Sequence, residues 1–445
     1  MPPTYRALVE QLARDIADGR LRPGDRLLPQ REFADQRGIA ASTASRVYGE
    51  LARRGLISGE VGRGSYVRAA ARVPAPAEPA PGRVNLEINL PVLPAQAALL
   101  ARSLQPLARR PSVMSAALEA AAVAGPAGAR HTVAAFLERR GWSPAVDGIC
   151  FTGNGKQALA AVIAALVPRG QRLGAEAITY PMVKVLASGL GVEVVPIAMD
   201  EHGLRPDALA AAHRKAPLRA VYCQPTLHNP LGMSMPAGRR AELAASLQRH
   251  DVVAIEDLVY AFLAGDEPPL AAGAPDHAVV VDSLSKRIAP GISIGYVAAP
   301  IALAPSIASA VRAGAWAASG LSMQLCLRWI ADGTAATLSA AKRRDAATRQ
   351  RLLRTLLRGL DVRSNPKSYH AWLLLPERWR ADAYVAAAAQ RGIGITPAAA
   401  FTVSPGHAPN AVRIALASPS LAELEPALGA LAAIARGRPR DWDTE

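Results

Sequence analysis

A chain of 445 residues, half of them hydrophobic and a fifth charged, has room for roughly two to four domains and is too apolar to be disordered over its bulk. No apolar run reaches the ~20 residues of a bilayer span, and the longest, 158–167, is interrupted by Pro168 and Arg169. Basic residues outnumber acidic ones by 51 to 36, a net charge of +15 that favours an acidic partner, while Cys150, Cys223 and Cys326 stand far apart without disulfide or zinc spacing, so no metal is expected.

The N-terminal stretch MPPTYRALVEQLARDI is amphipathic and carries acids, unlike a secretory signal, so a soluble cytoplasmic protein is expected. Tyr5, Leu8, Leu12 and Ile16 recur at helical spacing, and Gly19 ends that helix. Pro29 opens a second helix with Phe33 and Ala34 inward, and Gly38 stops it. A third follows Ala40, with Ala44, Val47, Tyr48 and Leu51 inward and Ser42, Thr43, Ser45 and Arg46 outward. Beyond Gly55, LISGEVGRGSYV alternates like two short strands around a Gly-Arg-Gly turn. Two short helices, a tight turn and a hairpin are the layout of a winged helix-turn-helix. Small hydroxyls and one arginine on the exposed face suit the major groove of double-stranded DNA. Arg63, beside Gly64 in the wing, can reach phosphate or the minor groove, and Arg31 can hold the backbone. Residues 1–68 hold 12 arginines and 8 acids, a net +4 (12 − 8).

The stretch GDRLLPQREFADQRGIAASTASRVYGELARRGLISGEVGRGSYV resembles the winged-helix domain of GntR-type transcription regulators over nearly all of residues 4–67. One departure is Ala41, where many members carry Arg. Next comes RAAARVPAPAEPAPGR at 68–83, whose proline density implies an extended, semi-rigid spacer. The expected organisation is a DNA-binding domain at 1–67, a linker at 68–85 and a large domain at 86–445.

In the large domain, strand-like runs alternate with helical ones: GICFT (148–152), AEAIT (175–179), VEVVPI (192–197), RAVYC (219–223), VVAIE (252–256), AVVVD (278–282) and ISIGYV (292–297). This predicts an α/β domain with a mostly parallel central sheet, whose ligands bind beyond the carboxyl ends of the strands. There the polar residues gather. A glycine-rich turn, GNGK, runs into a helix and suits phosphate. Tyr180 precedes Pro181, Asn229 lies in QPTLHNPLG, and Glu256-Asp257 is followed by Tyr260. Lys286, one of only six lysines, follows AVVVD among serines, where desolvation would free its amine for Schiff-base chemistry. An amine, a carboxylate for a pyridine nitrogen, a stacking aromatic and a phosphate turn are the needs of a pyridoxal phosphate site.

PTLHNPLG, EDLVY and SLSKRIAPG resemble the fold-type-I aminotransferases, from about Leu86 to Ala435. The resemblance implies that Lys286 carries the cofactor and Asp257 pairs with its pyridine nitrogen. It implies that Asn229 and Tyr260 bond the phenolic oxygen and that Tyr180 stacks on the ring. Gly155, Lys156, Ser283 and Ser285 match phosphate contacts, and Arg413, in AVRIALASPS, matches the arginine that grips an amino acid's carboxylate. Two departures stand out. Ser293 occupies the position of a phosphate-binding arginine, with Arg287 as a candidate replacement, and Leu231 alters the NPTG pattern.

Winged helix, spacer and aminotransferase-like domain, in that order, resemble the MocR-type regulators of the GntR superfamily. The resemblance implies a homodimeric transcription regulator that senses pyridoxal phosphate or an amino-acid or amine effector. The alternative is a catalytically active aminotransferase with an attached DNA-binding domain. A third reading is a scaffold whose cofactor pocket has decayed.

Overall fold

The computed structural model describes residues 5–18, 20–22, 25–53, 56–60, 64–67, 82–119, 122–404 and 408–439. Arg63 and spacer residues 68–81 lie outside the described residues. The chain divides into two compact units, residues 1–76 with 404–409 and residues 77–403 with 410–445. No helix among the described residues is long and apolar enough to cross a membrane.

In the first unit, helices Tyr5–Ala17, Gln30–Arg37 and Ala41–Arg53 precede the antiparallel hairpin Ile57–Glu60 and Gly64–Val67. Their apolar stripes meet in one core, where Leu8, Leu12, Phe33, Val47 and Leu51 are buried together. Burial of such stripes is what stabilises helices this short, because an isolated helix below ~12–15 residues is marginal in water. Gly38, at φ 61°, ends the second helix in a left-handed conformation that suits glycine, and the chain turns sharply into the third. Tyr48 locks the arrangement by donating its hydroxyl to the Leu28 carbonyl at 2.7 Å and meeting Phe33 edge-on.

In the second unit, a seven-stranded sheet runs in the order Ile149–Thr152, Gly295–Ala298, Ala278–Ser283, Val253–Asp257, Ala220–Cys223, Arg172–Glu176, Glu193–Ile197. Only Gly295–Ala298 runs against the others. The central strands are buried on both faces, which explains their unbroken apolar runs. One strand lies earlier than its apolar run suggested. It occupies Arg172–Glu176; Ala177 still donates to the Ile197 carbonyl, and residues 177–179 bond the 401–403 loop. A second, antiparallel sheet joins Val362–Ser364, His370–Leu374, Ala411–Ala415 and Thr396–Pro397, packed against helices Ala381–Gln390 and Leu421–Arg436. No strand of this sheet was among the predicted ones.

Candidate cofactor site and DNA-reading face

Six parallel strands deliver their last residues to one edge of the large sheet, and the antiparallel strand starts from that edge, so Ser293 joins it. Asp257 closes its strand almost fully buried. Its carboxylate accepts from the Tyr222 hydroxyl at 2.8 Å and the Val259 N–H at 2.9 Å, while burial pushes it up to about 6. Asn229 is buried after a short loop and precedes a cis proline. Its N–H donates to Gln224 Oε1 at 3.0 Å, and its side-chain oxygen accepts from Arg413 Nη1 at 3.2 Å. Behind it the buried pair His228–Glu176, 3.1 Å apart, supports the loop, with Glu176 also accepting the Gln224 N–H. Tyr260, buried edge-on to His370, and Tyr180 share the field of Asp257 and Arg413, and burial raises both phenols.

Lys286 follows Ser283 by three residues, and its amine donates to the carbonyl of Asn89. Burial, reinforced by the charges of Lys156 and Arg413, lowers it to about 8. Arg413 reaches the same cleft from the middle of the second sheet, opposite Trp372 and Thr396. Its guanidinium donates to the Glu87 carbonyl and lies 5.0 Å from the Phe401 ring.

Helix Gly155–Leu166 begins at the sheet edge, capped by Asn154, whose side chain accepts from the Gln157 N–H at 3.0 Å. A Cβ on Gly155 would stand 3.1 Å from Ser283 Oγ. That buried hydroxyl has no hydrogen-bond partner among the described residues. The hydroxyls of Ser285 and Ser293 lie 2.9 Å apart, and Lys156 occupies the first turn, exposed. A helix N-terminus lined by hydroxyls and one ammonium is a seat for an anion.

Arg287 requires a correction. Its buried guanidinium pairs with Asp282 and lies against the rings of Phe136, at 4.9 Å, and Phe262, at 5.2 Å. A buried carboxylate such as Asp282 needs a cation, and Arg287 is committed to it. It therefore does not replace the arginine absent at Ser293.

Several neighbours of the site escaped the sequence reading: Tyr222, Asn89, Glu87, Phe401 and Lys342.

In the first unit, Arg31, Ser42, Ser45, Arg46 and Gly64 are exposed and Thr43 is half-buried. The guanidinium of Arg46 lies 4.8 Å from the Tyr5 ring. Arg26, not singled out by the sequence, bridges Tyr66 and packs against Gly64, where a Cβ would stand 2.9 Å from its Nε.

Comparison with known proteins agrees with this division. Residues 4–67 match the family of bacterial regulatory proteins called gntR, and residues 84–431 match aminotransferase class I and II. An uncharacterized HTH-type transcriptional regulator of Bacillus subtilis, YdeF, is 31% identical over 96% of this chain and 93% of its own. The HTH-type pyridoxine biosynthesis transcriptional regulator PdxR of Corynebacterium glutamicum is 26% identical over 87% of this chain and 86% of its own. An archaeal alanine:glyoxylate aminotransferase superimposes with a TM-score of 0.72 over 80% of this chain and 91% of its own, at 21% identity, which shows the fold alone. With a GntR winged helix joined to a class I and II aminotransferase domain over nearly its full length, the chain belongs to the MocR-type transcriptional regulators.

Proposed function

We propose that this regulator reads pyridoxal phosphate, or an amino compound that reacts with it, in its aminotransferase-like body. The observation that carries the reading is the gathering of one low-pKa amine, Lys286, with Asp257, Asn229, Tyr260 and, reaching over from the second sheet, Arg413 in a single cleft. The residues fit the cofactor. Asp257 offers a buried partner for a pyridinium nitrogen, Tyr180 a ring face, and Asn229 with Tyr260 hydrogen bonds for a phenolic oxygen. Gly155, Lys156, Ser285 and the partnerless Ser283 hydroxyl offer a seat for phosphate. When bound, the cofactor supplies an aldehyde and an electron-withdrawing ring. Lys286 contributes an amine that sheds its proton at about pH 8, well below an ordinary lysine, and Arg413 contributes a planar fork for an incoming carboxylate. PdxR, by its name a regulator of pyridoxine biosynthesis, supports a vitamin B6 ligand.

The route from site to DNA also has a physical basis. Lys286 and Arg413 donate to the carbonyls of Asn89 and Glu87, in the segment that follows the Pro-rich spacer. A ligand that recruits both cations withdraws them from that segment. The bound and free states then differ in contacts, as allostery requires. In a homodimer, paired heads would let weak half-site contacts reinforce each other.

Titration of promoter DNA with and without pyridoxal phosphate and candidate amino acids tests the reading; operator affinity unchanged by every one of them would contradict it. The low-pKa Lys286 also favours a second reading, an aminotransferase that turns over. Rapid multiple turnover with a keto acid would favour that enzyme, and a reaction that stalls after the first amino acid would favour the sensor.

A further inference from the structure

Lysines are almost never fully buried, because an ammonium removed from water must be paired or neutral. Lys342, in helix Thr334–Leu356, is 0% exposed. Its amine donates to the carbonyl of Lys286 at 3.0 Å and to that of Ile288 at 2.7 Å. The Ile288 carbonyl also accepts from Gln96 Nε2 at 2.7 Å. Asp345, one turn away, is engaged by Arg349 at 2.7 Å and by the Tyr369 hydroxyl at 2.9 Å. Burial and the charge of Lys286 lower the Lys342 amine to about 7. Two carbonyls receive hydrogens of this amine. Those carbonyls bracket the turn that carries the functional amine. An apolar side chain of similar length would fill the same volume, but it would take the ammonium donor from the Lys286 carbonyl and leave that of Ile288 with Gln96.

We infer that Lys342 is a positioning residue for Lys286, fixing the backbone of residues 286–288 so that the amine faces the cleft lined by Asp257, Asn229 and Arg413. The inference rests on the proposed function, since it takes Lys286 to be the group that captures an aldehyde. Capture joins the amine nitrogen to the aldehyde carbon and releases one water, so its rate depends on the amine's aim.

The test compares the full-length protein with Lys342→Met. Growth of visible absorbance after addition of pyridoxal phosphate reports capture, and hydrogen exchange of the 284–290 segment without cofactor reports the turn. Capture should slow roughly tenfold, near the net worth of a hydrogen bond. The 284–290 segment should exchange faster, with exchange in the winged helix unchanged. Unchanged capture and unchanged exchange would overturn the inference. A wild-type protein that never captures the aldehyde would overturn the proposed function instead. Should Lys342→Met not fold, Lys342→Gln, which keeps an NH2 donor on a shorter stem, should also slow capture, and a wild-type rate there would overturn the inference.

Discussion

Lys286 and Asp257 owe their properties to one cause, removal from water, which acts with opposite sign on a base and an acid. The amine falls to about 8 and the carboxyl rises to about 6. Below pH 8 the amine holds its proton and cannot attack an aldehyde. The rate of cofactor capture, followed by stopped-flow absorbance, should therefore rise through about pH 8 and then level off; an unperturbed lysine would keep rising towards 10.5. Tyr222→Phe removes the hydroxyl that steadies the Asp257 anion, so that carboxyl should rise further. Cofactor affinity by absorbance titration should fall roughly three- to tenfold. Asp282→Asn strands the Arg287 guanidinium in the interior and should cost about 3–5 kcal/mol in urea unfolding. Lys286 was legible in the sequence because it follows an apolar strand and precedes a Pro-Gly turn. Tyr222 and Lys342 were not, because a single polar atom inside a strand or helix core has no periodic signature.

At the level of elements, the strand-end motifs were readable because glycine and proline punctuate them. The second sheet was not, since two of its four strands are only two or three residues long. Arg413, on that sheet, was reachable only through resemblance, and no local pattern says that it meets Asn229. The Gly155–Leu166 helix makes a separable claim. Lys156→Ala should weaken binding of pyridoxal phosphate but leave that of pyridoxal, which lacks the phosphate, close to wild type. In the first unit the helical periodicity and Gly38 specified the three helices, while the stacking of Arg46 on Tyr5 was invisible. Arg46→Ala should weaken operator binding and lower the slope of affinity against salt by about one if Arg46 contacts phosphate.

For the whole molecule, the excess of 15 positive charges matches a polyanionic partner, and a net four of them fall in residues 1–68, which hold the winged helix. The proposed linkage between body and heads gives the chain its regulatory meaning. Its most direct test is fluorescence anisotropy of labelled promoter DNA, titrated with the full chain, with and without saturating pyridoxal phosphate, for wild type and Lys286→Ala side by side. A cofactor-induced shift of about fivefold or more in wild type, the lower range of allosteric coupling, and none in Lys286→Ala is the expected result. The same shift in both proteins, or no shift in wild type, would contradict it.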